Sequence, residues 1–157
     1  MKNFTAIHLE TANENGNGIC KIGVVRVENG IVSNEIGILV QPPHNFYLEK
    51  CIALHGITPE DTANAPTFDK IWHLIEPFIK NQAVVAHNSL CFDFPVLRKT
   101  LEYYKIPVPD FRFNDTLRMY RAELFAIERN YKIPAYYMEA LRGAQACAEL
   151  YKQFLSK

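Results

Sequence analysis

Two acids set the chemistry within reach of this chain. Glu10 lies in Ile7-His8-Leu9-Glu10-Thr11, and Asp93 ends Ala86-His87-Asn88-Ser89-Leu90-Cys91-Phe92-Asp93. Carboxylates brought together from separate elements can hold hard divalent cations through oxygen. A pair of such ions, about 3.5–4 Å apart, turns water into hydroxide and stabilises the attacking and leaving oxygens at phosphorus. That chemistry needs several converging acids and a group to take the proton from water. His8 stands two residues before Glu10 and so shares its face of a strand. A third stretch, Ala140-Leu141-Arg142-Gly143-Ala144, carries no acid. Plainer roles exist for each group: Glu10 as a solvated acid at a strand end, Asp93 as a cap on a helix, His8 as a hydrogen-bonded histidine lining a cleft.

Positioning these residues takes an α/β frame. Phe4 to Glu10 reads as a strand, Ala12 to Gly18 as a turn and Ile19 to Val27 as a second strand. Glu28-Asn29-Gly30 is a hairpin signal, so Ile31 to Val40 continues an antiparallel meander that stops at Pro42-Pro43. His44 to Ala65 reads as mostly loop, with a turn at Thr58-Pro59-Glu60-Asp61. Thr67 can cap a helix carrying the apolar stripe Phe68, Ile71, Trp72, Ile75 and Phe78. Ala83-Val84-Val85-Ala86 has the continuous apolar character of a buried parallel strand. A helix after Asp93 turns Val96, Leu97, Leu101 and Tyr104 inward and ends before Pro107 and Pro109. Phe111 to Asp115 reads as a short strand and Thr116 to Asn130 as helix. A last helix from about Met138 to Phe154 has Leu141, Ala144, Ala148, Tyr151 and Leu155 inward. The order β-β-β-α-β-α-β-α-α predicts a sheet of about five strands, three antiparallel and then parallel crossovers, flanked by helices.

Composition limits the partners. The 157 residues, 48% hydrophobic, suit one domain over 1–157 with a core that needs no disulfide. Cys20, Cys51, Cys91 and Cys147 form no Cys-x-x-Cys pair and read as buried thiols of a reducing compartment. No secretory leader and no run of ~18 apolar residues is apparent, so a cytoplasmic protein without a membrane partner is expected. Net charge is zero, which argues against binding along a long duplex through many phosphates. Residues 1–97 nevertheless hold 6 Lys/Arg against 10 Asp/Glu, and residues 98–157 hold 11 against 7. Arg98, Lys99, Arg118, Arg121, Arg129, Lys132 and Arg142 can form a local basic surface, or simply solvated helix faces. Phe46, Tyr47, Trp72, Tyr103 and Tyr104 can stack bases or fill the core. His44, His73 and His87 read as structural or exposed.

The three stretches together resemble the DnaQ-like exonuclease family in its His-bearing DEDDh branch, which includes the proofreading subunit of bacterial DNA polymerase III. The resemblance covers nearly the whole chain and implies a ribonuclease-H-like three-layer fold and metal-dependent 3′–5′ hydrolysis. The family's Asp-x-Glu-Thr is similar to His8-Leu9-Glu10-Thr11. Its His-Asn…Phe-Asp is similar to His87-Asn88…Phe92-Asp93. His55-Gly56-Ile57-Thr58-Pro59-Glu60-Asp61 resembles a loop beside the substrate's 3′ end, and Asp115-Thr116-Leu117 another family stretch. The family's His-x-Ala-x-x-Asp-Ala aligns with Met138-Glu139-Ala140-Leu141-Arg142-Gly143-Ala144.

The resemblance implies that Glu10 and Asp93 are metal-binding acids. His8 then stands at the ion-bridging Asp, Gly143 at the last metal-binding Asp, and Met138 at the general-base His. Thr11, Ala12, His55 and Asn88 fall at nucleic-acid contacts, and the segment 118–137, shorter than in relatives, at part of the pocket wall. Magnesium or manganese is the implied cofactor of an active member. His8 cannot imitate a bridging carboxylate, although it suits a softer ion such as manganese or zinc.

Three functions follow as expectations. The first is binding of a single-stranded nucleic-acid 3′ end or a nucleotide, with hydrolysis lost or strongly reduced. The second is an atypical metal-dependent exonuclease. The third is a protein-interaction module on the same scaffold, with a DNA polymerase or another protein as partner. Tyr136-Tyr137 is expected to be able to fill the emptied site.

Overall fold

The computed structural model describes residues 3–88, 91–120 and 140–156. Strands β1 (Phe4–Thr11), β2 (Ile19–Glu28), β3 (Ile31–Leu39), β4 (Ala83–Ala86) and β5 (Arg112–Asp115) form one sheet in the order β3-β2-β1-β4-β5. β1, β2 and β3 are antiparallel; β4 is parallel to both β1 and β5. The mixed sheet is the one expected. The β2–β3 hairpin turns at Asn29 (φ 52°) and Gly30 (φ 81°). The positive dihedrals of both residues match the twist that a two-residue turn must carry.

Six helices surround the sheet among the described residues: α1 (Glu49–His55), α2 (Pro59–Thr62), α3 (Phe68–Ile79), α4 (Asp93–Tyr103), α5 (Thr116–Tyr120) and α6 (Ala140–Leu155). Alternation along the strands sends Ile7, Leu9, Ile22 and Val24 to one face, where Phe68, Ile71, Trp72, Ile75, Leu97 and Leu101 cover them. Phe4, Ala6, Val25 and Val27 face the other way, under Ala144, Cys147, Ala148 and Tyr151 of α6. His8 and Glu10 share this second face by the same period of two.

Residues 44–65 contain more helix than expected. Leu48, the N-cap of α1, makes no side-chain cap, so its seven residues lack the usual starting signal; Gly56 in the left-handed region (φ 73°) marks its end. The turn read at Thr58 is the capping box of α2, in which the Thr58 N–H donates to Asp61 Oδ2 at 2.8 Å. Thr67 does stand at the N-cap of α3, but its side chain makes no capping bond. The helix expected over Thr116 to Asn130 is described as far as Tyr120. Tyr136, Tyr137, Met138 and most of 118–137 lie outside the described residues.

Candidate functional site

β4 accompanies β1 only through Thr5 and Ala6. Farther along β1 the edge turned towards β4 needs other partners. Asp93, the first residue of α4, supplies one: its Oδ1 accepts the Leu9 N–H at 3.0 Å. Asp93 thus ties α4 across to β1 rather than making the side-chain cap considered for it. Its other oxygen, Oδ2, is buried with no hydrogen-bond partner among the described residues. Asp93 thereby stands at the carboxyl ends of the adjacent parallel strands β1 and β4, where α/β sheets commonly bind ligands. The register with β2 shifts between Glu10 and Thr11, an irregularity at the same end of β1.

Glu10 is 7% exposed, and its Oε1 lies 3.3 Å from His8 Nε2. His8 pairs across the sheet with Gly23. Over it lies Gly143 of α6, where an added Cβ would stand 2.5 Å from His8 Cγ and 2.6 Å from Cδ2. Gly23 similarly leaves room for the α6 backbone at Ala140 and Leu141. The imidazole is therefore held between a strand and a helix that both lack a side chain beside it.

A second layer braces the turn after β4. Asp115 Oδ1 accepts the N–H groups of Asn88 and Leu117, both at 3.0 Å. His87 Nδ1 lies 2.9 Å from Thr116 Oγ1, which also contacts Cys147 Sγ at 3.6 Å. Burial pushes the Cys147 thiol well above its usual range, and the Asp93 and Asp115 carboxylates push the same way. Asp115, Thr116 and Cys147 were not singled out as site residues from sequence. The family-like Asp115-Thr116-Leu117 carried a signal for the first two.

The other expected residues have varied settings. Thr11 is half-buried and Ala12 fully buried. His55 is buried; its Nδ1 accepts the Ile57 N–H at 3.0 Å, so the proton sits on Nε2, 3.0 Å from the Thr11 carbonyl. Both ring nitrogens brace the backbone. Asn88 is exposed and takes the left-handed region (φ 57°), which asparagine tolerates. Its carbonyl accepts from the N–H of Cys91 and Phe92. Among the aromatic residues, Trp72 is core, whereas Phe46 and Tyr103 are about half exposed.

This donor set does not fit a pair of magnesium ions. Among the described residues no three His, Cys, Asp or Glu side chains converge as metal ligands. Gly143 offers no side-chain oxygen, and one oxygen of Asp93 is committed to Leu9. Burial also pushes Asp93 up to about 6, against the opposing pull of His8 and the Leu9 N–H.

His87 shifts the other way, to about 4, chiefly through burial; Asp115 resists the shift and His8 adds to it. Unfolded His87 binds a proton near 6.5 and the folded residue only near 4, so this group removes stability as pH falls through that window. Folded Asp93 keeps its proton up to about 6 while the unfolded group releases it near 3.8, so its contribution is lost as pH rises from about 4 to 6. The two slopes oppose each other. Relative to the natural chain, thermal melts of Asp93→Asn should gain stability more steeply between pH 4 and 6. Those of His87→Gln should gain it less steeply or lose it. Parallel profiles for all three proteins would refute the assignment.

No helix among the described residues is long and apolar enough to cross a membrane. No curated protein matches the chain. Solved structures do. One is similar over 98% of this chain and 91% of its own, at 22% identity and a TM-score of 0.74: exonuclease X in complex with 5′-overhanging duplex DNA. The zinc-bound complex of E. coli exonuclease I with single-stranded DNA is similar over 100% of this chain, at 14% identity and a TM-score of 0.87. The chain spans 41% of the length of that exonuclease I. Cell-death related nuclease 4 is similar over 99% of this chain and 64% of its own, at 14% identity and a TM-score of 0.74. These likenesses establish the ribonuclease-H-like fold. The RNase_T model, described as exonuclease, matches residues 5–145, and by that match the chain belongs to the DnaQ-like exonuclease family.

Proposed function

We propose that the chain binds the 3′ end of a single nucleic-acid strand, or a nucleotide, at the crevice beside Glu10, Asp93 and Asn88, with hydrolysis lost or strongly reduced. The observation that carries this reading is His8 seated against Gly143, at the two positions where the family resemblance implies metal-binding aspartates. Two fewer carboxylates leave two divalent ions poorly neutralised. A missing general base at Met138 alone removes a factor on the order of 10²–10⁴. Binding is supported by the family and by the DNA held in the exonuclease X and exonuclease I structures. Thr11, Ala12 and Asn88 would border the strand end, with His55 acting through the Thr11 carbonyl it braces.

A second reading keeps an atypical metal-dependent exonuclease using manganese or zinc, which requires the Glu10, Asp93 and His8 side chains to move from their present positions to meet one ion. Its support is the buried, unpartnered Asp93 Oδ2.

A 3′-labelled oligonucleotide separates the readings. Fluorescence anisotropy should report binding that weakens as salt rises. Shortening in magnesium or manganese should be slower than that by exonuclease X by a factor on the order of 10² or more. Rapid metal-dependent shortening that disappears in Asp93→Ala would replace the first reading by the second. Neither binding nor cleavage, together with a captured protein, would favour the interaction module.

A further inference from the structure

Gly37, Gly23 and His8 stand in register across β3, β2 and β1. α6 begins over this row. Leu141 covers Gly37, the backbone of Ala140 and Leu141 covers Gly23, and Gly143 covers His8. On the first two strands the missing side chain is the strand's. On the third the strand carries a ring and the helix lacks the side chain. The exchange keeps α6 close to the sheet along the whole row.

We propose that Gly143 and His8 are a matched pair that positions Glu10. The notch in α6 receives the imidazole, and the seated ring directs Nε2 at Glu10 Oε1, 3.3 Å away. A Cβ on residue 143 would meet Cγ at 2.5 Å, Cδ2 at 2.6 Å and Nδ1 at 3.0 Å. Those atoms belong to a rigid ring close to its own backbone, so no flexible tip can give way. An interior helical glycine is otherwise unfavourable relative to alanine. The notch therefore opposes helix propensity and is explained by what it holds. Gly143 acts on the carboxylate through His8, without touching it, and this holds whether or not the crevice takes a nucleic-acid end.

The test is a double-mutant cycle read by thermal melting. Gly143→Ala in the natural chain should lower Tm by several degrees. In a His8→Ala background the same change should leave Tm unchanged or raise it, because helix propensity then acts alone. If His8→Ala folds poorly, His8→Ser supplies the background. A second readout concerns only the contact: in the crystal structure of Gly143→Ala, His8 Nε2 should have left Glu10, and in His8→Ser/Gly143→Ala the α6 backbone should regain its natural place. An equal Tm loss in both backgrounds, a gain in the natural chain, or an unmoved His8–Glu10 contact would overturn the proposal.

Discussion

His8→Asp, Met138→His and Gly143→Asp, made together, are expected to raise metal-dependent shortening of a 3′-labelled oligonucleotide by on the order of 10²-fold or more. The triple change supplies two carboxylates to Glu10 and Asp93 and a proton acceptor at the aligned position. The changes act only in combination. Gly143→Asp alone forces a side chain against the His8 ring, so it should destabilise by about 1–3 kcal/mol and add no activity. His8→Asp alone clears the ring but leaves the fourth acid missing. Only the pair removes the obstruction and adds both acids. Circular dichroism confirms that each variant folds, and a manganese-dependent rise in Tm measures the regained site without relying on turnover. A folded triple variant with neither cleavage nor a manganese response would show that the missing chemistry does not reside in these three positions.

The reason single restorations fail also explains which parts of the molecule were legible in sequence. Apolar runs marked β1, β2 and β4 because these strands are largely buried, whereas β3, mostly exposed, was marked by the Asn29-Gly30 hairpin signal before it. The stripe Phe68, Ile71, Trp72, Ile75 and Phe78 marked α3 in the same way; the first four are buried and Phe78 is half-buried. The motif singled out Asp93, but not its bond to the Leu9 N–H, because that bond joins residues 84 positions apart. α1 escaped because seven residues without a side-chain cap offer neither a long stripe nor a starting signal. Asp115 looked like motif continuation; only the fold reveals that it fixes Asn88 and Leu117 through one oxygen. Gly23 and Gly143 carried no pattern that links them. A glycine announces that a side chain is missing, not which distant atom stands in its place.

Gly23 gives that last point its largest measurable consequence. Gly23→Ala is expected to destabilise by about 3 kcal/mol or more, at the upper end for overpacking. At roughly 2–4 °C per kcal/mol for a domain of this size, Tm should fall by about 6–12 °C. The new Cβ would overlap the Ala140 carbonyl and the Leu141 nitrogen, all backbone atoms of the first turn of α6. No rotamer relieves such a contact, so either β2 bends or α6 lifts. Gly23 lies in a regular strand between His8 and Gly37, where alanine is conformationally acceptable, so the cost is steric. Gly37→Ala is the matched control: its Cβ would stand 3.4 Å from Leu141 Cβ, near ordinary contact, and its Tm should scarcely move. If α6 lifts, Gly143 leaves His8, and the Gly143→Ala penalty should shrink in the Gly23→Ala background. Equal, small effects of alanine at 23 and 37 would mean that α6 is not held by close approach of its backbone to the sheet. A large loss at 23 with the Gly143→Ala penalty undiminished would mean that β2 yields while α6 keeps its seat over His8.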